Sequence, residues 1–319
     1  MTINWQPTST IAVLRTRAQL IANIRKFFND RDVLEVETPL LSQGTVTDPH
    51  VIGIPALCRL AQQEQWRYLQ TSPEYAMKRL LAAGSGSIYQ ICKAFRQGDF
   101  GKLHNPEFTM LEWYRVGFDH HALMNEMDEL LQQILKTLPA TRLSCTEAYE
   151  KYVSINPHSA TLAELTKRAN ELINFTSNLS DRNAWLELLF THCVAPCLGD
   201  DRPLFLYDFP VSQAALAKIR PGMPPVASRF EVYFKGIELA NGFHELQDVQ
   251  EQRARFEKDL QYRDEIGLTK VAVDENFLGA LQHGLPDCAG VALGVDRLIM
   301  LALETDVLTD VMSFTFDRA

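Results

Sequence analysis

Two runs rich in aliphatic and aromatic residues, Ile88 to Arg96 and Pro106 to Val116, flank a short polar loop, Gln97 to Asn105. That arrangement commits the chain to an antiparallel strand pair, and so to a sheet. Along the returning strand, side chains alternate between faces, which puts Phe108, Met110, Glu112 and Tyr114 together. A carboxylate beside a phenol, backed by apolar residues, makes a pocket for an ammonium group. A half-buried strand carrying one ion pair would show the same pattern. Arg96, at a strand end beside a loop containing Gly98, can meet a phosphate that the loop backbone approaches closely.

A second constellation runs from Arg229 to Leu246. Phe230 to Phe234 and Ile237 to Ala240 form a hairpin about Lys235-Gly236. Glu238 then faces Tyr233, and Glu231 lies diagonally beside Glu238 on the same face. Two carboxylates converging without an evident basic partner repel each other, and Mg²⁺ shared with ATP phosphates would relieve that. Surface carboxylates on an exposed hairpin would look the same. Strict alternation sends Glu245 to the opposite face. A bulge at Asn241-Gly242 would bring it back.

The third segment is Cys288 to Leu298. Gly290 and Gly294 bracket a short strand, Gly290 to Leu293, and Arg297 falls in the first turn of a helix, Val295 to Leu303. A helix N-terminus with an arginine suits an anion. Elsewhere, Ile11 to Asp30 is apolar at helical spacing and Val33 to Thr38 reads as a strand stopped by Pro39. Ser72 suits the N-cap of a helix, with Pro73 at its first position, running from Glu74 to Ala83 and stopping at Gly84. Leu123 to Leu138 is an amphipathic helix ending at Pro139. Residues 140 to 200 read as mostly helical, an insertion or flanking helices, and the chain reads as one domain.

The 319 residues are 46% hydrophobic and 22% charged, which excludes a disordered or fibrous chain. No apolar run approaches the ~20 residues needed to cross a bilayer, and Met1 to Arg17 lacks the order of a secretory signal. The six cysteines are scattered without a CxxC pair, which fits a reducing cytoplasm. His192, Cys193 and Cys197 lack a second pair at zinc-type spacing. A net charge of −9 argues against a protein whose main work is gripping phosphate backbones.

Together these segments resemble the class II aminoacyl-tRNA synthetases. The strand-loop-strand looks like motif 2, Gly290 to Arg297 like motif 3, and Phe28 to Pro39 like motif 1, the dimer-interface helix and strand. His104 to Tyr114, Glu238 to Leu246 and Ala289 to Leu298 are closely similar to lysyl-tRNA synthetase, and the likeness runs from about Leu14 onward. It implies an α+β fold, an antiparallel sheet flanked by helices, paired as a homodimer. It also implies ATP and Mg²⁺. Arg96 would bind the α-phosphate and Arg297 the γ-phosphate, the two catalytic arginines. Gly98, His104, Asn105, Phe108, Leu239 and Gly294 would complete the nucleotide site, with Phe108 stacking on adenine. Glu231 and Glu238 would hold Mg²⁺, so that Glu238 also counts among the ATP-binding residues. Glu74, with Ser72, would take the backbone-side ammonium of the substrate. Glu112, Tyr114 and Glu245 would grip its side-chain ammonium, with Asn241 near the carboxylate.

Three departures redirect that reading. Motif 1 begins within the first turns of the chain, so no anticodon-binding domain is expected and tRNA recognition is not. Ala292 stands where the synthetase pattern has glycine beside the amino-acid pocket, and an extra methyl there would favour an isomer with a displaced amino group. Arg96-Gln97-Gly98-Asp99 stands where the family has arginine, asparagine and glutamate, leaving Asp99 as the acid in that loop. With these features the chain resembles the elongation factor P lysine ligases, most closely in His104 to Arg115, Arg229 to Leu246 and Pro286 to Leu303. That family activates (R)-β-lysine as the adenylate and transfers it to a lysine ε-amine of elongation factor P. A truncated synthetase charging tRNA, or a catalytically silent regulatory paralogue, would be the alternatives.

Overall fold

In the computed structural model, which describes residues 5–60, 63–175, 179 and 181–319, the chain opens with α1 (Ile11–Asn29), its first turn capped by the Thr10 hydroxyl. There follow β1 (Leu34–Glu35), β2 (Leu41–Ser42), β3 (Pro55–Leu60), β4 (Gln63–Leu69), α2 (Glu74–Ala82), β5 (Ile88–Phe95) and β6 (Glu107–Val116). Next come α3 (His120–Leu135), β7 (Thr141–Ser144), α4 (Cys145–Val153), α5 (Leu162–Ile173), α6 (Arg182–Leu189), β8 (Leu204–Pro210), β9 (Ile219–Arg220), β10 (Val226–Phe234) and β11 (Ile237–His244). The chain closes with α7 (Val249–Glu265), α8 (Glu275–Gly284), β12 (Cys288–Gly294) and α9 (Val295–Ala302).

Two units emerge. The first takes the residues up to Gly117, Gln247–Cys288 and Ala292–Ala319; the second takes Phe118–Leu246 and Ala289–Val291. In the first, strands run in the order β1-β5-β6-β12, beside a separate three-stranded sheet β2-β4-β3. β5 and β6 pair antiparallel over eight residues, from Ile88↔Tyr114 to Phe95↔Glu107, and β1 adds in parallel. Phe28 of α1 is buried, stacking on Tyr89 at 4.5 Å and meeting Trp113 edge-on at 5.3 Å. The motif 1 helix thus packs on the strand pair through its last turn.

In the second unit the order is β11-β10-β8-β7, with β9 on β10. Its core includes Trp185, Leu186 and Leu189 of α6, Tyr149 of α4 and Leu206 of β8. Antiparallel pairs dominate both units, with helices flanking them.

Several elements differ from the sequence reading. α3 starts three residues early because Asp119 caps it, accepting from the Ala122 amide at 2.8 Å, and it ends where Lys136 turns left-handed (φ 57°). Pro139 limits a helix without requiring it to reach that far. The strand expected over Val33 to Thr38 shrinks to Leu34–Glu35. Ser72 is one residue outside the cap position, which falls on Pro73, but its hydroxyl still accepts from the Glu74 amide at 3.0 Å. The stretch from 140 to 200, apart from 176–178 and 180, which lie outside the described residues, holds the strand β7 as well as helices. Among the described residues, no helix is long and apolar enough to cross a membrane.

Candidate active site

In the first unit, β6 presents Phe108, Met110, Glu112 and Tyr114 opposite Ala94, Cys92, Gln90 and Ile88 of β5, so the expected face is formed. Glu112 is 2% exposed. The Tyr114 hydroxyl donates to its Oε1 at 2.6 Å and the Ser72 hydroxyl to its Oε2 at 2.7 Å. Burial pushes the Glu112 carboxyl up to about 7, helped by the charge of Glu74 and opposed by the two hydroxyls and Lys78. This is an acid held in one orientation and short of a counter-charge.

Glu74, at the start of α2, is not free of one. The Lys78 ammonium, one turn on and 1% exposed, donates to Glu74 Oε1 at 2.6 Å. Sequence reasoning passed over Lys78, although Glu-to-Lys spacing of four on a helix is a readable pairing.

The loop between β5 and β6 turns on Gly98 (φ 87°) and closes where Gly101 and His104 form an isolated antiparallel bridge. Arg96 joins the strands through its amide, which donates to the Pro106 carbonyl at 2.9 Å, and its guanidinium lies 5.1 Å from the Phe108 ring centre. Asn105 is buried, its amide donating to the Glu107 carbonyl at 2.6 Å and accepting from the Phe316 amide at 3.0 Å.

Arg297, third residue of α9, donates to the Leu103 carbonyl at 3.2 Å and contacts His104 Nε2 at 2.7 Å. A guanidinium has no acceptor, so Nε2 must accept and the imidazole is neutral with its proton on Nδ1. Burial and the Arg297 charge accordingly hold His104 below the ordinary histidine range. Gly294 caps α9 and Ala292 sits half-buried in β12. Asp296 turns inward, where it binds Arg17 at 2.7 Å and accepts from the Thr109 amide at 2.6 Å.

In the second unit, Lys235 (φ 52°) and Gly236 (φ 71°) make the tight turn, and Tyr233 pairs with Glu238 as expected. The bulge falls elsewhere. Register slips between Val232↔Ala240 and Tyr233↔Glu238, so Leu239 is the extra residue, and Asn241 pairs directly with Glu231. Leu239 itself is buried. From Asn241 on, odd-numbered residues share the face of Glu231, which brings the sequence parity of Glu245 into line with Asn241. Glu245 is 1% exposed and bridges to Ala217.

The sequence reading found no basic partner for Glu231, and here it is corrected. Arg229, two residues earlier and therefore on the same face, donates to Glu231 Oε1 and to Asn241 Oδ1, the latter at 3.2 Å. The Tyr233 hydroxyl donates to Glu231 Oε2 at 2.7 Å. Glu238, by contrast, is exposed.

A family model for class II tRNA synthetases (D, K and N) matches residues 3–318. The chain belongs to this family. It is 52% identical to the elongation factor P–(R)-beta-lysine ligase of Klebsiella pneumoniae, across 100% of this chain and 99% of that protein. The Edwardsiella ictaluri ligase of the same name is 51% identical across 99% of this chain and 98% of that protein.

Class II synthetase chemistry uses ATP with a divalent ion, and the donor set of the second unit fits one. Glu231 and Glu238 supply hard carboxylate oxygens of the kind Mg²⁺ takes. Arg229 and Tyr233 fix Glu231, yet a carboxylate offers about four lone-pair sites and keeps acceptor capacity.

Proposed function

We propose that this class II synthetase core joins a lysine-type amino acid, (R)-β-lysine above all, to a lysine of elongation factor P in the cytoplasm. The observation that carries the amino-acid half is the buried Glu112 carboxylate, clamped by Tyr114 and Ser72 with the acidic Glu74 nearby. A substrate with two ammonium groups needs two acidic anchors. Full-length identity to the named ligases supports the acceptor half.

In this reading the amino-acid carboxylate attacks the α-phosphate of ATP, and pyrophosphate leaves with the electron pair. The ε-amine of the partner lysine then attacks the adenylate carbonyl, AMP leaves, and the amine gives up a proton. Arg96 and Arg297 neutralise charge developing on the phosphates, and Phe108 stacks on adenine, while Gly98, His104, Asn105 and Gly294 shape that pocket. Glu74 and Ser72 take the backbone-side ammonium; Glu112 and Tyr114 take the side-chain one. Ala292 bears on which isomer fits. From the second unit, Asn241 and Glu245 serve the amino acid, Leu239 the nucleotide, and Glu231 with Glu238 the Mg²⁺. When bound, Mg²⁺ would offset phosphate charge.

A homodimer belongs to the same proposal. Leu34, on β1 within the motif 1 segment, is 55% exposed, and Leu40 and Leu41 just beyond are also exposed. Exposed apolar residues on and beside edge strands suit a second copy.

The test is the intact mass of purified elongation factor P after incubation with this protein, Mg-ATP and (R)-β-lysine, beside a tRNA-charging control. A gain of one lysyl unit on the factor is expected. Charged tRNA with an unmodified factor would mean a truncated synthetase, and silence in both would mean a regulatory paralogue.

A further inference from the structure

The second unit holds a cluster that the proposed reaction does not use. His120 and His121 begin α3, and Asp208 lies in β8. One ligating atom from each lies within 4.8 Å of the others. His120 is 2% exposed, and among the described residues neither of its ring nitrogens has a hydrogen-bond partner. Asp208 Oδ1 is likewise buried and makes no hydrogen bond among the described residues, while its Oδ2 accepts from Arg220 at 2.5 Å. Two buried nitrogens and a buried carboxylate oxygen without such hydrogen bonds are costly to fold around, so their coincidence calls for a cause.

We propose that His120, His121 and Asp208 form a binding site for a zinc-type divalent transition-metal ion. His120 Nε2 and Asp208 Oδ1 are 3.6 Å apart. That is too long for a hydrogen bond, but it is near the edge of about 3.4 Å that tetrahedral geometry gives two ligands at ~2.1 Å from one ion. Two imidazoles with one carboxylate suit zinc-like ions, whereas Mg²⁺ favours oxygen ligands.

The surroundings orient the set. Arg220 takes Oδ2 and leaves Oδ1 to the histidines. The His121 ring meets Tyr207 edge-on at 5.5 Å, and the His244 ring stacks on His120 at 6.5 Å. Asp208 holds φ at 60°, an unusual backbone state for a residue other than glycine. The N-terminus of α3 repels a cation, but the Asp119 and Asp208 carboxylates oppose that field.

The test uses untagged full-length protein stripped with chelator and titrated with Zn²⁺ alone by calorimetry, with melting curves beside it. One Zn²⁺ per chain is expected, raising the melting temperature. His121→Ala, His121→Phe and Asp208→Asn should each weaken binding at least about tenfold, the low end even for outer-shell partners. A Cys193→Ala/Cys197→Ala variant should bind as the wild type does. The proposal is overturned by an absence of saturable binding in the wild type, by unchanged binding in the folded His121 and Asp208 variants, or by binding that disappears with the cysteines.

Discussion

The Tyr114 hydroxyl donates to Glu112 Oε1 at 2.6 Å from two residues along the same strand, so both ends of the contact are set by β6 alone. The contact favours the ionised carboxylate, yet burial prevails and holds the acid near 7. At pH 7 about half of the free molecules then carry a proton there. An arriving ammonium selects the carboxylate, so amino-acid binding should release a fraction of a proton at pH 7. Calorimetry in buffers of different ionisation enthalpy reads this directly. Affinity should fall about tenfold per pH unit well below 7. Buffer-independent binding enthalpy at pH 7 would remove Glu112 from the ammonium site.

His104 gives a pH effect of its own. Its imidazole accepts from Arg297, so protonation breaks the contact. Because its folded value is depressed, the favourable contact is complete above the ordinary histidine range. It is lost as pH falls through the folded value. Nitrogen NMR of the ring should place the titration below 6.5 with the proton on Nδ1. Arg297→Ala should raise it toward the ordinary histidine range, with burial still holding it down.

The hairpin separates what was legible from what was not. Lys235-Gly236 fixes the turn, and the turn fixes Tyr233 opposite Glu238, so that register followed from sequence. The bulge did not, because Gly242 looked like the natural place for it. Gly242 has a different duty. A Cβ there would lie 2.4 Å from the Phe230 ring and 2.9 Å from Val291 Cβ, so it is glycine for close packing. Nothing about Leu239 as a residue type marks it as the extra one. Arg229 as the partner of Glu231 was readable from spacing of two along a strand. The first-unit face was fully legible because an eight-residue antiparallel pair with no bulge obeys alternation throughout.

Glu245 follows from the bulge. If Leu239 turns it to the substrate side, Glu245→Gln should weaken amino-acid activation at least tenfold while leaving ATP affinity unchanged. A charged hydrogen bond of about 1.5–3 kcal/mol sets that scale. Pyrophosphate exchange against nucleotide titration separates the two. Equal loss of both would remove Glu245 from the ammonium site.

Leu34 bears on assembly. A carboxylate placed at a desolvated apolar contact costs several kcal/mol, enough to split a modest dimer. Light scattering should give twice the 36.2 kDa chain mass for the wild type and a single chain for Leu34→Glu. A monomeric wild type would overturn the motif 1 contact.

Arg17 and Asp296 form the last test. Arg17 of α1 reaches Asp296 at 2.7 Å, Thr109 Oγ1 at 3.0 Å and the Val311 carbonyl at 3.3 Å, so one guanidinium joins α1, β6 and the C-terminal segment. Both partners are largely buried. Removing Arg17 alone leaves a carboxylate without its counter-charge in the interior, which typically costs about 3–5 kcal/mol. Arg17→Ala should therefore lower the denaturant midpoint sharply at an unchanged slope. Adding Asp296→Asn removes the stranded charge while its side chain can still accept from the Thr109 amide, so the double variant should recover part of the loss. Additive losses would mean that the pair does not act as a unit. Arg297 follows Asp296 in the first turn of α9, so the same single variant should also weaken ATP binding, and adding Asp296→Asn should recover part of both together.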